Sequence, residues 1–202
     1  MGVESNAMSS EISQSGLPTG LVGRIVGRIM VWHNRPDNEW TISLLEIDDS
    51  ENVLEVGFGP GQAIQLLSDA NASVHIAGVD HSETMLISAR QLNEAAIAAG
   101  HVNLQLGSAE HLPFADSTFD KAFSINCIYF WKEPLQGLRE LHRVLKPTGR
   151  LAVTVRDKEG KTYQAFRPHK LTQLFTQVGF SSISVHHNGV RSHPLICVMA
   201  AK

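Results

Sequence analysis

At 202 residues, 43% hydrophobic and 18% charged, the chain has the composition of one folded domain and lacks the bias of a disordered segment. A net charge of −3 excludes the broad basic face of a large nucleic-acid footprint, and no apolar run approaches the roughly 20 residues of a membrane helix. Only two cysteines occur, Cys127 and Cys197, far apart, which excludes a disulfide scaffold or a zinc module and fits a reducing cytoplasm. The ten histidines offer no helical pair with a carboxylate base, and adjacent His186 and His187 point to opposite faces of a strand, so no metal site is expected.

The opening "MGVESNAMSS" reads as an expression scar over residues 1–7, ahead of a native start at Met8. It has neither the charged start nor the apolar core of a signal peptide. "GLVGRIVGRIMVW" then spaces Leu21, Ile25, Ile29 and Trp32 at helical intervals. Pro36 is expected to break that helix, and a second, "NEWTISLLEI", to start near Asn38 as N-cap. Residues 8–50 are therefore expected to form a helical cap or lid, with the main domain at 51–202.

From residue 52 strand and helix signals alternate. "NVLEVG" is the first strand, and "PGQAIQLLSDA" a helix with Pro60 near its first turn. "SVHIAGVD" is the second strand, followed by the long helix "SETMLISARQLNEAAIAAG" closed by Gly100. "NLQLGSA" and "FDKAFSIN" are strands three and four. A helix through "PLQGLRELHRVLK", ending at Pro147–Gly149, precedes the fifth strand, "RLAVTVR". The tail carries a helix, "RPHKLTQLFTQV", and two strands, "SSISVHH" and "PLICVMAA", around an "NGV" turn. The pattern predicts a Rossmann-like α/β fold: a doubly wound, seven-stranded sheet, mostly parallel, ending in an antiparallel hairpin, with helices on both faces.

The chemistry concentrates in "LEVGFGPG", where a strand runs into Gly57, Gly59 and Gly61. A dinucleotide turn needs G-x-G-x-x-G, but Gln62 follows here, Pro60 removes a backbone donor, and Glu55 would repel a phosphate. A cationic ligand turns Glu55 from an obstacle into a partner. S-adenosylmethionine is such a ligand, with a sulfonium and an ammonium against one carboxylate. Asp80 ends the second strand, 23 positions after Gly57, where an acidic side chain accepts from both ribose hydroxyls.

"VLEVGFGPG", "VDHSETML", "GSAEHLPFADSTFDKAFS" and "LRELHRVLKPTGRLAVTV" resemble, in this order, the motifs of class I S-adenosylmethionine-dependent methyltransferases, most closely the small-molecule type 11 group. The resemblance covers residues 52–155. It implies that Glu55, Gly57, Phe58, Gly59 and Gly61 surround the methionine end of the cofactor, with Asn126 beside it. It also implies that Asp80 holds the ribose diol, with His81 and Met85 packed beside ribose and adenine. Ser108, Ala109 and Glu110 would border the adenine, Ser108 standing where the family often has Asp.

The acceptor is expected to enter past strand four, along "INCIYFWKEP". Many relatives carry a histidine pair there; this chain has Tyr129, Phe130 and Trp131, an aromatic wall with Tyr129 as candidate proton relay. No N-P-P-Y or D-P-P-Y stretch follows, which disfavours methylation of nucleic-acid bases. Around Pro36, Trp32, Arg35 and Trp40 are further candidate acceptor contacts, and His33 is a candidate base. The expected function is methyl transfer to a small-molecule acceptor by a monomer or homodimer, with S-adenosylhomocysteine as product and neither nucleic acid nor membrane as partner. Two other readings stay open on sequence alone: a catalytically silent S-adenosylmethionine-binding regulatory module, and a nicotinamide-dependent oxidoreductase.

Overall fold

The computed structural model describes residues 34–190 and 194–202. A helix over residues 34–45 (α1) leads into β1 (Asn52–Val56), α2 (Gln62–Ala70), β2 (His75–Asp80), α3 (Glu83–Leu92), α4 (Glu94–Ala98), β3 (Val102–Leu106) and β4 (Phe119–Ile125). A 3-10 turn (Ile128–Phe130) follows, then α5 (Pro134–Val144), β5 (Leu145–Arg156), α6 (Lys161–Gln164), α7 (Pro168–Val178), β6 (Ser181–His187) and β7 (Leu195–Ala201). The sheet order is β3-β2-β1-β4-β5-β7-β6; β7 runs antiparallel to both its neighbours, and the remaining pairs are parallel. The order reverses between β1 and β4, the crevice where open parallel sheets seat ligands at their strand carboxyl ends.

Alternation along the strands sends side chains to two cores. Leu54, Val56, Ala122, Leu151 and Val153 face α5 and α7, meeting Leu138, Leu141, Leu171 and Phe175. Val53, Ile76, Leu104, Phe123 and Ala152 face the other way, toward Leu45, Ile64, Leu67, Leu86 and Ala89 of the first three helices. Each fully buried leucine or phenylalanine here stabilises by about 1.5–3 kcal/mol relative to exposure. Among the described residues no helix is long and apolar enough to cross a membrane.

Three sequence expectations are corrected. Pro36 does not divide two helices between residues 34 and 38: α1 runs through it, and Asn38 is a buried side chain bonded to Gln62, not an N-cap. The long helix after β2 parts at Asn93, whose amide donates to the Ala89 and Gly61 carbonyls and so ties the α3 terminus to the glycine loop. The helix before β5 ends at Val144, and Leu145 already pairs with Phe119; the register then shifts before Lys121 meets Arg150. Pro147 biases Lys146 away from helical backbone, which accounts for the early end. The helix expected over residues 21–32 lies outside the described residues.

The described part of α1 is fixed to the sheet in its middle and at its C-terminal end. Thr41 Oγ1 lies 2.7 Å from Thr154 Oγ1 of β5. At the C-terminal end, the buried Lys121 ammonium donates to the Leu45 and Glu46 carbonyls, each at 3.2 Å. These are orphan acceptors of a helix end, and a cation there also opposes the negative pole of the helix dipole.

Candidate active site

The loop after β1 is held by three glycines with left-handed backbone: Gly57 at φ 81°, Gly59 at 52° and Gly61 at 85°. Their surroundings differ. A Cβ on Gly57 would stand 2.0 Å from Cys127 Sγ, so the first glycine exists to admit the turn after β4. A Cβ on Gly59 would meet nothing within 4 Å, because that position opens into a cavity. A Cβ on Gly61 would lie 2.7 Å from both Ala89 Cβ and Asn93 Nδ2. Gly61 lines neither of the two cavities described below. It packs α2 against α3.

Two buried carboxylates flank the loop. Asp80, at the end of β2, accepts the Gly59 N–H at 2.8 Å through Oδ2 and the Ser82 N–H at 2.9 Å through Oδ1. The backbone N–H of His81 also contributes a hydrogen bond to this carboxylate. Burial pushes the Asp80 pKa up, opposed by those two backbone donors and by His81. Glu55, 3% exposed, points into the same crevice from β1, and its Oε2 has no hydrogen-bond partner among the described residues. Burial first, and the Asp80 charge second, raise its pKa to about 8. In the free protein, Glu55 therefore carries its proton at neutral pH.

Two adjoining cavities occupy the crevice and share Gly57, Asp80, His81, Cys127 and Phe130. The first is narrow and bordered by Glu55, Phe58, Gly59, Met85 and Asn126, all expected from the sequence. The second, of about 800 Å³, is bordered by Ser108, Ala109, Glu110, Tyr129 and Trp131, again all expected. Glu110 Oε1 accepts from the Lys132 and Glu133 amides at 2.8 and 3.2 Å, which joins the loops on either side of this cavity. Burial acts to raise the Glu110 pKa, but the hydrogen bonds it accepts hold it below the usual value.

The candidate acceptor residues separate. Tyr129 and Trp131 form part of the second cavity's wall, but the Tyr129 hydroxyl is engaged. It accepts the Arg156 N–H at 2.7 Å and donates to Asn126 Oδ1 at 3.1 Å, and burial pushes its pKa above the usual phenol range. Arg35 is exposed and pairs with Glu39, while Trp40 packs against the α1 side of the core; neither borders either cavity. Trp32 and His33 lie outside the described residues.

Sequence reasoning missed Asn34, Asn38 and Gln62, which border the first cavity, and Cys127, which borders both. Asn34 and Asn38 stand four apart on α1, a spacing readable in "NRPDN" once the helix is known to continue through Pro36. Cys127 had no sequence signal, because its role comes from contact with Gly57. Its thiol is pushed up to about 12 by burial first and by the Asp80 charge next, so it stays protonated and inert as a nucleophile.

Residues 54–153 match a family model described as a methyltransferase domain, type 11. The chain is 33% identical over 184 residues to the uncharacterized methyltransferase YdaC of Bacillus subtilis, covering 88% of this chain and 98% of that protein. The chain belongs to the class I S-adenosylmethionine-dependent methyltransferases. It is also 33% identical over 124 residues to the ubiquinone/menaquinone biosynthesis C-methyltransferase UbiE of Geotalea daltonii, matching 58% of this chain and only 52% of that one. A SAM-dependent methyltransferase from Aquifex aeolicus shares the fold at a TM-score of 0.70 and 22% identity, over 87% of this chain and 96% of that one.

This methyltransferase fits its family's cofactor on its own geometry. Glu55 Oε2, buried and unpartnered, suits a cationic group, and the open face of Gly59 lets a ligand approach the backbone. When bound, S-adenosylmethionine supplies a methyl group on a sulfonium, a leaving group already installed. Glu55, Gly59 and Asn126 would hold its methionine end, Asp80 its ribose, and His81, Ser108 and Ala109 its adenine.

Proposed function

We propose that this methyltransferase acts on a small, largely apolar or aromatic acceptor, which enters beside the turn after β4. The observation that carries the reading is that two cavities adjoin and share lining residues: a narrow one beside Glu55 and a roomier one walled by Tyr129, Phe130 and Trp131. The roomier cavity's volume of about 800 Å³ would be shared between the adenine, beside Ser108 and Ala109, and a small acceptor beside the aromatic residues. Relatives named as C- and O-methyltransferases support the same class of acceptor.

The residues' work is placement and exclusion of water. Displacement at the methyl carbon, with the thioether as leaving group, is accelerated chiefly by holding donor and acceptor in line at near-attack distance. Glu55 and Asp80 would orient the donor through charge and hydroxyl contacts, and the aromatic wall would orient the acceptor. A base is needed only where the acceptor must lose a proton. The Tyr129 hydroxyl already gives its proton to Asn126, which leaves His33 as the sequence's candidate base.

The test is methyl-labelled S-adenosylmethionine offered with phenols, quinols, amines and thiols, and in parallel with RNA, DNA and protein. The reading expects label on a small aromatic compound, and loss of that activity in Trp131→Ala. Label on nucleic acid or protein alone would overturn it.

A further inference from the structure

We infer that Asp37 is a positioning residue for methyl transfer: its carboxylate, outside both cavities, sets the orientation of two cavity-lining amides, Asn126 directly and Asn34 through Arg156. The inference rests on the reading of the narrow cavity as the seat of the cofactor's methionine end.

Asp37 is 1% exposed, and no apolar packing explains a carboxylate there. Its Oδ2 accepts from Asn126 Nδ2 at 2.7 Å and lies 3.4 Å from Arg156 Nη2. The same guanidinium nitrogen donates to Asn34 Oδ1 at 2.6 Å. On the far side of Asn126, its Oδ1 accepts from the Tyr129 hydroxyl at 3.1 Å, and that hydroxyl accepts the Arg156 backbone N–H at 2.7 Å. The hydrogen bonds therefore form a directed circuit: Arg156 N–H to Tyr129, Tyr129 to Asn126, Asn126 to Asp37, and Arg156 guanidinium to Asp37 and Asn34.

Direction is what the circuit provides. An asparagine amide presents a donor at one end and an acceptor at the other, and which end meets a ligand depends on its partners. An ionised carboxylate accepts only, so Asp37 compels Asn126 to turn its NH2 toward α1 and leaves its carbonyl to Tyr129. Asn126 itself holds a left-handed backbone at φ 51°, a conformation asparagine tolerates better than most residues. One buried charge on α1 thus orders the end of β4, the end of β5 and the first described turn of its own helix.

The experiment is a double-mutant cycle read by calorimetric titration with S-adenosylhomocysteine, alongside thermal unfolding. Asp37→Ala is expected to weaken binding tenfold or more, as is Asn126→Ala, and the double variant no more than the weaker single one. Asp37→Asn, which still presents an oxygen to Asn126, is expected to recover binding to within about threefold. Thr41→Val, on the same helix but outside the circuit, should lower the unfolding temperature and leave affinity unchanged. If Asp37→Ala does not fold, Asp37→Ser takes its place in the cycle. A folded Asp37 variant that binds like wild type, or losses at Asp37 and Asn126 that multiply, would overturn the inference while leaving the cofactor reading intact. Wild type that does not bind would overturn both.

Discussion

Gly57 and Gly59 share a left-handed backbone two positions apart, and the same substitution should separate their roles. Alanine at Gly57 meets Cys127 Sγ at 2.0 Å in addition to its backbone strain, so Gly57→Ala should lose about 2–4 kcal/mol in thermal unfolding. Alanine at Gly59 meets nothing, so it should cost about 1–2 kcal/mol of backbone strain yet weaken S-adenosylhomocysteine binding at least tenfold by placing a methyl in the cavity. Equal effects on stability and binding at the two sites would contradict the assignment. Both glycines were legible in the sequence as one motif; their division of labour was not, because it depends on a cysteine 70 positions away.

Glu55 carries a second prediction at this scale. Its folded pKa is raised from 4.5 to about 8, so the native state keeps a proton that the unfolded chain releases. Its contribution to stability is therefore greatest below about pH 4.5, declines as pH rises toward 8, and levels off above. Glu55→Gln should melt a few degrees higher than wild type at pH 8.5 and lose that advantage near pH 4.5, while losing ligand affinity. Binding of S-adenosylmethionine to wild type at pH 7 should release close to one proton, seen as enthalpies that differ between phosphate and Tris buffers. Buffer-independent enthalpies would show that Glu55 does not change its charge on binding.

At the scale of elements, the strand–helix alternation after residue 52 was readable because each buried strand is a short apolar run ended by a polar or glycine turn. The misreadings fall where a tertiary contact overrides a local signal. Pro36 reads as a breaker, yet the helix continues past it, because the buried Asp37 and Asn38 after it are held by side chains from the end of β4 and from α2. Asn93 ends α3 because its amide caps two carbonyls, one of them in the glycine loop. The described residues of α1 contact β4, β5 and the residue after β4 through Leu45, Thr41 and Asp37. Lys121→Met would strand the Leu45 and Glu46 carbonyls; it should cost about 1–3 kcal/mol and speed amide exchange within residues 34–45. Unchanged exchange there would show that the ammonium is not what anchors the helix.

At the scale of the whole molecule, the sheet reverses its order between β1 and β4, and the expected cofactor residues gather at that reversal from four separate stretches of chain. Their gathering was legible because the motifs occur in fixed order along a fold whose strand ends all point one way. What the sequence left hidden is side-chain wiring over long separations, such as Asp37 to Asn126, 89 positions apart. No periodicity encodes such a pair, and only the folded sheet brings it together.

The central claim is that Glu55, the glycine loop and Asp80 seat a cationic methyl donor. Calorimetric titration of S-adenosylhomocysteine into wild type and Asp80→Ala tests it most directly. The account predicts one molecule bound per chain by wild type, and affinity reduced at least a hundredfold by Asp80→Ala, since the ribose would lose its acceptor and Gly59 its anchor. No binding by wild type at millimolar ligand, or equal affinity in the two proteins, would contradict it.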